Sequence, residues 1–453
     1  MSQTKKLTLL DCTMLIVGSM IGSGIFIVPA VMSRDLGSPI MLLSAWVITA
    51  VLTIFAALSY GELSAMMPKA GGQYVYLREA YNPMFGFLYG WSLFTVIQTG
   101  TIAAVAVAFA KFSGVFFPII SDKNIFFHFG RFNIQTQQIL AILVVWILTF
   151  FNFRNIKTGA FIQNIFTFTK IGAIVFMIIA GLYFAFTQHS QMLNFSVPVN
   201  FFSFNYLGIF SVALVGSIFS ADAWNNITFT GGEIEKPERN LPLSLLMGTG
   251  IVLSIYFFIN VVYLKVLPFE SIQHAENDRV GTLLMQIVFG NIGMYLMAIL
   301  IMVSTFGCIN GLSLSGARVY YAMANDGLFF AKAKQLNKNQ SPQFALIIQG
   351  IWTSILTLSG SYGNLLDYVV FAVLIFYILT VASVFILRKK QPNAHRPYKV
   401  FAYPILPAVY ILMALFICVN LLIYKPDYTY PGLAIVLAGI PIYFFVKKRK
   451  VDI

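Results

Sequence analysis

The sequence predicts an all-α membrane protein of about twelve transmembrane helices, and three observations carry that prediction. Hydrophobic residues make up 58% of the 453 and charged residues only 10%, against about 25% charged in soluble domains. Apolar runs of about 20 residues, the length a helix needs to cross about 30 Å of hydrocarbon, recur along the whole chain. The cations alternate between connections: with the amino terminus inside, roughly 21 of the 29 Lys and Arg lie on the cytoplasmic side. The formal charge of +13 is therefore a topology signal, and no nucleic-acid partner is expected.

In chain order the apolar runs fall at approximately 8–32, 40–66, 83–117, 138–153, 158–186, 206–230, 243–267, 283–323, 344–360, 366–387, 404–424 and 431–446. That alternation predicts a multi-pass protein of the cell inner (plasma) membrane with both termini cytoplasmic. Lys5 and Lys6, the triplet Arg388, Lys389 and Lys390, and the run Lys447, Lys448, Arg449 and Lys450 mark the same face. The first run is long and lacks a small-residue cleavage pattern, so it is expected to stay as a span. Cys12, Cys308 and Cys418 each lie in or beside a span and read as small buried residues. His128, His189, His274 and His395 fall in predicted connections, and no His-Glu-x-x-His or paired-Cys spacing occurs. Neither a metal, a cofactor nor a membrane metallo-enzyme is expected.

Two spans are interrupted, five helices apart. The first holds Gly18-Ser-Met-Ile-Gly-Ser-Gly-Ile-Phe26, where each glycine weakens the helix by about 1 kcal/mol relative to Ala. The sixth holds Phe219-Ser-Ala-Asp-Ala-Trp-Asn225, a carboxylate in mid-span. Breaks at matching positions of two halves point to a transporter with its site near the midplane. Opening the first helix at Gly22-Ser23-Gly24 leaves N–H groups and a positive dipole end that attract a carboxylate. The carbonyls near Ile21 are then suited to an ammonium, so a zwitterionic amino acid matches both ends. Small-residue helix packing accounts for the same glycines equally well.

The residues also carry a resemblance. Gly22-Ser-Gly-Ile-Phe26, Tyr60-Gly-Glu-Leu-Ser-Ala-Met-Met-Pro-Lys-Ala-Gly-Gly-Gln-Tyr74, Glu233-Ile-Glu-Lys-Pro-Glu-Arg-Asn-Leu-Pro242 and Arg396-Pro-Tyr-Lys-Val400 resemble the amino acid-polyamine-organocation superfamily. Over nearly its whole length the chain is most similar to bacterial relatives of L-type amino acid transporters. The resemblance implies a five-plus-five inverted repeat of the LeuT-like kind: residues 1–190 hold helices one to five, 191–390 helices six to ten, and 391–453 two extra helices with a basic tail.

By the same resemblance, Ser23, Gly24 and Ile25 meet the substrate carboxylate. The backbone around Ile21, Phe219, Ser220 and Asp222 meets its amino group, and Phe219 is an aromatic gate. Where related sequences read Tyr-Asp-Gly-Trp, this chain has Ala221-Asp222-Ala223-Trp224, which alters pocket size and hinge flexibility. Asp222 is costly at this depth unless paired or protonated; it binds an amine, takes up a proton, or caps the second half of helix six. Lys170, well inside the fifth span, is implied to take the place of a coupling cation. It would bond the carbonyl near Gly18 and a hydroxyl such as Ser304 or Thr305, with sodium-independent transport as the consequence. Snorkelling to the interface is the alternative. Glu62 and Arg318 are candidates for an ion pair closing the cytoplasmic gate, or for charges that anchor helix ends. Trp224 and Asn225 either line the cavity or pack helix six.

The expected function is secondary transport of amino acids, neutral ones foremost, by exchange or proton symport. An amine or polyamine transporter and a permease-like nutrient sensor are the alternatives. In related eukaryotic transporters a Cys between helices three and four links a single-span partner; residues 118–137 contain no Cys, so no disulfide-linked heavy subunit is expected.

Overall fold

The computed structural model describes residues 6–68, 71–129, 132–153, 156–188, 191, 203–359 and 362–448. Of the residues singled out above, Lys5, Lys69, His189, Arg449 and Lys450 lie outside them, as does Ala70 of the second motif.

The chain opens with α1 (Leu9–Met20) and α2 (Gly24–Leu36), two half-helices bent by 43° across residues 21–23. Thr8 and Asp11 cap α1 reciprocally, and Gly37, at φ +63°, ends α2 in the left-handed conformation that glycine adopts without penalty. Then come α3 (Pro39–Met66), the short α4 (Gln73–Ala80), and α5 (Pro83–Ser92), which runs through a π-helical turn at Leu93–Ile97 into α6 (Gln98–Ser113). Strands β1 (Ile125–Phe129) and β2 (Phe132–Gln135) pair antiparallel, and α7 (Thr136–Phe151) and α8 (Ile156–Thr187) follow. This hairpin departs from the all-helical expectation for a segment read as a plain connection.

The second half repeats the theme. Helix α9 (Phe204–Ser220) stops at Ala221, and the chain continues as a 3-10 segment, Trp224–Glu233. Helices α10 (Pro237–Val266), α11 (Phe269–Gln273), α12 (Val280–Asn325), α13 (Gln343–Ser359), α14 (Tyr362–Lys390), α15 (Ile405–Tyr424) and α16 (Pro426–Lys448) complete the bundle. Among the described residues nine helical stretches are long and apolar enough to span a bilayer, the bent pair α1–α2 makes a tenth, and α7 and α13 are shorter apolar helices. Those elements account for the twelve runs read from hydropathy.

Polar contacts tie the elements together at both ends of the bundle. At the face that carries the amino terminus, Leu7 pairs with the backbone of Glu233 and Glu235, Arg318 with Glu233, and Arg78 with Asp326. Tyr74 donates its hydroxyl to Asp326 at 2.7 Å. At the opposite face Asp278 bridges Arg34 (2.9 Å) and Lys111 (3.2 Å), tying the end of α2 to the end of α6.

Candidate substrate site between the two broken helices

The break in the first helix is held open by side chains from three others. Ile21 leaves the helix with extended backbone (ψ 93°), so the α1 carbonyls lose their intrahelical donors. Lys170 of α8 donates to the Gly18 carbonyl at 2.6 Å and to that of Ile21 at 3.1 Å. Ser304 of α12 reaches the Ile21 carbonyl too (3.2 Å), Cys308 of α12 the Ser19 carbonyl (3.2 Å), and Tyr256 of α10 the Met20 carbonyl (3.0 Å). Every carbonyl from Gly18 to Ile21 thus has a side-chain donor. Lys170 is 1% exposed, so it does not snorkel; the carbonyl cluster is what lets an ammonium sit at this depth.

Across the gap α2 begins at Gly24. A Cβ there would lie 2.2 Å from the Ser220 hydroxyl and 3.0 Å from the Ser220 Cα, so only glycine lets α2 start against the end of α9. The first turn of α2 points its N–H groups into the break.

In the second break, Ala221 and Asp222 leave the helix, and Ala223 turns the chain at φ +68°. The carboxylate of Asp222 accepts a 2.5 Å hydrogen bond from Tyr377 of α14. Asn225 donates to Gln73 (3.0 Å), and Gln73 donates to Thr380 of α14 (2.9 Å), which docks the 3-10 segment on α4 and α14. Trp224 packs edge-on against Tyr60 and tilted against Tyr377.

Asp222 borders three small cavities. One, of about 20 Å³, runs along the first break past Gly22, Ser23, Gly24, Phe219, Ser220 and Cys308. A second, of about 10 Å³, lies between α6, the 3-10 segment and α14. A third, of about 20 Å³, lies towards α3 and α15. Each has room for about one water molecule.

The structure brings Gly22, Ser23, Gly24, Phe219, Ser220 and Asp222 together around one cavity. Ala221 and Asn225 line the neighbouring voids, and Trp224 does both, packing the segment and lining the third. Ile25 contributes its carbonyl to Tyr263 (3.3 Å).

Three expectations are corrected. The Ile21 carbonyl already holds the Lys170 ammonium and the Ser304 hydroxyl, so it has no lone pair to spare for a substrate amine. Thr305 turns its hydroxyl back onto Ile301 and Met302 of its own helix, both at 2.9 Å, and Ser304 shares the Ile21 carbonyl with Lys170 instead of accepting from it. Glu62 and Arg318 do not pair: Arg318 reaches Glu233, while Glu62 faces α14 and takes Arg388 through two bonds (2.9 and 2.7 Å), Arg396 at 3.5 Å and the Val400 N–H at 2.8 Å.

Tyr377, Gln98, Thr101, Asn226 and Tyr256 escape a reading by motif, and Gln73 stands inside a quoted motif without a role. The available signal is a polar side chain inside an apolar span, which in a membrane marks either a helix-to-helix bond or a site.

Two interrupted apolar helices that meet at their breaks beside a buried carboxylate are the arrangement of a secondary transporter. A family description, Amino acid permease, matches residues 7–446, and the chain belongs to that family, within the amino acid-polyamine-organocation superfamily. It is therefore an amino acid transporter and not an enzyme. It is 31% identical over 451 residues to the serine/threonine exchanger SteT of Bacillus subtilis (strain 168), covering 98% of each chain. It is 28% identical to the human large neutral amino acids transporter small subunit 2, over 97% of this chain and 80% of the relative. With the human cystine/glutamate transporter it shares 29% identity, over 97% of this chain and 85% of the relative.

Proposed function

We propose that the chain exchanges neutral amino acids by alternating access, independently of sodium, with its amino-terminal face in the cytoplasm. The observation that carries this reading is the asymmetry of the first break. Its carbonyl end is occupied by the protein's own ammonium, Lys170, so a dissolved cation has no place there, while its N–H end opens on the cavity that Asp222 borders. A substrate carboxylate meets the α2 N–H groups around Ser23 and Gly24. Its ammonium turns to Asp222 and the end of α9. Phe219 covers the pair.

Residues 1–190 and 191–390 serve as the two inverted repeats, and one bundle rocks against the other around this site. Opening inward separates Arg318 from Glu233 and Arg78 from Asp326; opening outward frees Asp278 from Arg34 and Lys111. The positions of Lys and Arg support the orientation, and the Cys-free segment 118–137 supports a carrier without a disulfide-linked heavy subunit.

The buried Asp222 carboxylate supports a second reading, an amine or polyamine carrier. Counterflow in proteoliposomes with labelled alanine, leucine and putrescine, with and without a proton or sodium gradient, separates the two. Exchange of alanine or leucine, unaffected by sodium, is expected; accumulation of putrescine alone would replace the first reading by the second, and a sensor would move none of them.

A further inference from the structure

Behind the braced break lies a space of a different kind. Between α6, α8 and α12 the bundle leaves a groove of about 460 Å³, where the cavities at the breaks hold about one water molecule each. Phe109 of α6, Phe116 and Phe117 of the turn after it, Phe166 of α8, and Met302 and Phe306 of α12 form its walls. The lining side chains carry no nitrogen or oxygen, so water gains nothing by entering.

All three helices belong to apolar spans, and the groove opens sideways past the exposed side chains of Phe117 and Ile299. What surrounds it there is hydrocarbon. A void of this size left empty forfeits contacts that interiors otherwise make. A neighbouring helix, about 10–12 Å across, would fill the volume with roughly a single turn, which is no seat for a span. An acyl chain suits the depth, the lining and the volume together. The mouth also fixes the leaflet. Phe116 and Phe117 follow the end of α6, which Lys111 and Asp278 tie to the face opposite the amino terminus.

The inner end of the groove is the back of the brace. Phe306 stands between Ser304 and Cys308, which hold the Ile21 and Ser19 carbonyls. Phe166 lies one turn before Lys170 on α8. The rings of Phe166 and Phe306 meet edge-on at 6.1 Å, and Gly307 lets α8 come close, since a Cβ there would stand 3.0 Å from that of Phe166.

We infer that this groove binds one acyl chain of a phospholipid from the leaflet opposite the amino-terminal face, and that the bound chain steadies α8 against α12. The lining holds no charge, so the headgroup stays outside.

The test uses the full chain in phosphatidylcholine vesicles containing a trace of phosphatidylcholine with a diazirine near the end of one acyl chain. After irradiation the adducts are mapped by peptide mass spectrometry. Met302 and Phe306 are expected to be labelled several-fold more than Phe416, a lipid-facing residue in the middle of α15. Val303→Trp and, separately, Ile299→Trp fill the groove and should remove the α12 adducts while those on α15 persist. Delipidated wild-type protein in detergent should gain thermal stability when phosphatidylcholine is added back, and both variants should gain less. Labelling of Met302 and Phe306 no stronger than that of Phe416 in the wild type overturns the site, whatever the variants do. Undiminished α12 adducts in a folded variant overturn it too, and a stability gain shared equally by wild type and variants overturns the steadying role. None of these readouts depends on which substrate is moved, so the transport reading stands or falls separately.

Discussion

The two helix breaks solve the same problem in opposite ways. In the first, the carbonyls of Gly18, Ser19, Met20 and Ile21 are met by side chains of α8, α10 and α12, so the break is braced from three directions. In the second, the turn is made by an alanine in left-handed backbone, and the segment is held by its side chains, Asp222 by Tyr377 and Asn225 through Gln73 to Thr380. A braced break presents fixed dipoles to a ligand. A break held by a strained residue and a few polar links is the one suited to adjust as the site opens and closes.

The largest effect is expected where the breaks touch. Gly24→Val places side-chain atoms where Ser220 stands and should abolish alanine exchange while the purified protein remains monodisperse. Gly24→Ala should also fail, and combining it with Ser220→Gly should restore part of the rate. Full activity of Gly24→Val would mean that α2 and α9 are not packed as described.

Next in size is the brace. Lys170→Ala leaves the buried Gly18 carbonyl without its side-chain donor and the Ile21 carbonyl with Ser304 alone, at about 1–3 kcal/mol for the unmet group, so the exchange rate should fall about tenfold or more with a smaller change in substrate affinity. Equal loss in both, measured by initial rates over a substrate series, would make Lys170 part of the binding surface instead.

The smallest effect is expected at the strained turn. Ala223→Gly removes a left-handed penalty of roughly 1–2 kcal/mol and adds chain entropy to the unfolded state of about 0.5–1 kcal/mol. Thermal stability in detergent should rise by no more than about 1 kcal/mol. A clear loss of stability would show that the Ala223 methyl, not its backbone, matters at that position.

Both breaks are legible in the sequence because they violate what an apolar span needs: two glycines around a serine, and a carboxylate with no charge of opposite sign nearby in the chain. Lys170 is legible for the same reason. The partners are not. Glu62 could be matched to any basic residue at that end, and whether Arg318 or Arg388 reaches it depends on helix rotation and tilt, which hydropathy does not encode. Asn226 and Gln98 pass for ordinary interhelical bonding residues until the cavity between them is seen. The aromatic run Ile125–Phe129 has strand propensity, but in an otherwise helical chain its short length gave little reason to expect pairing.

The knot around Glu62 bears on how the protein is made. Its carboxylate, 1% exposed, enters the bilayer near the start of synthesis, yet the guanidinium of Arg388 that matches it emerges 326 residues later and Arg396 later still. Until then the second span lacks these partners, so the packing around Glu62 waits on α14 and the segment that follows it. The tie around Glu62 is thus made by the end of α14 and the segment that leads into α15, so a contact of the second span depends on chain that follows the tenth.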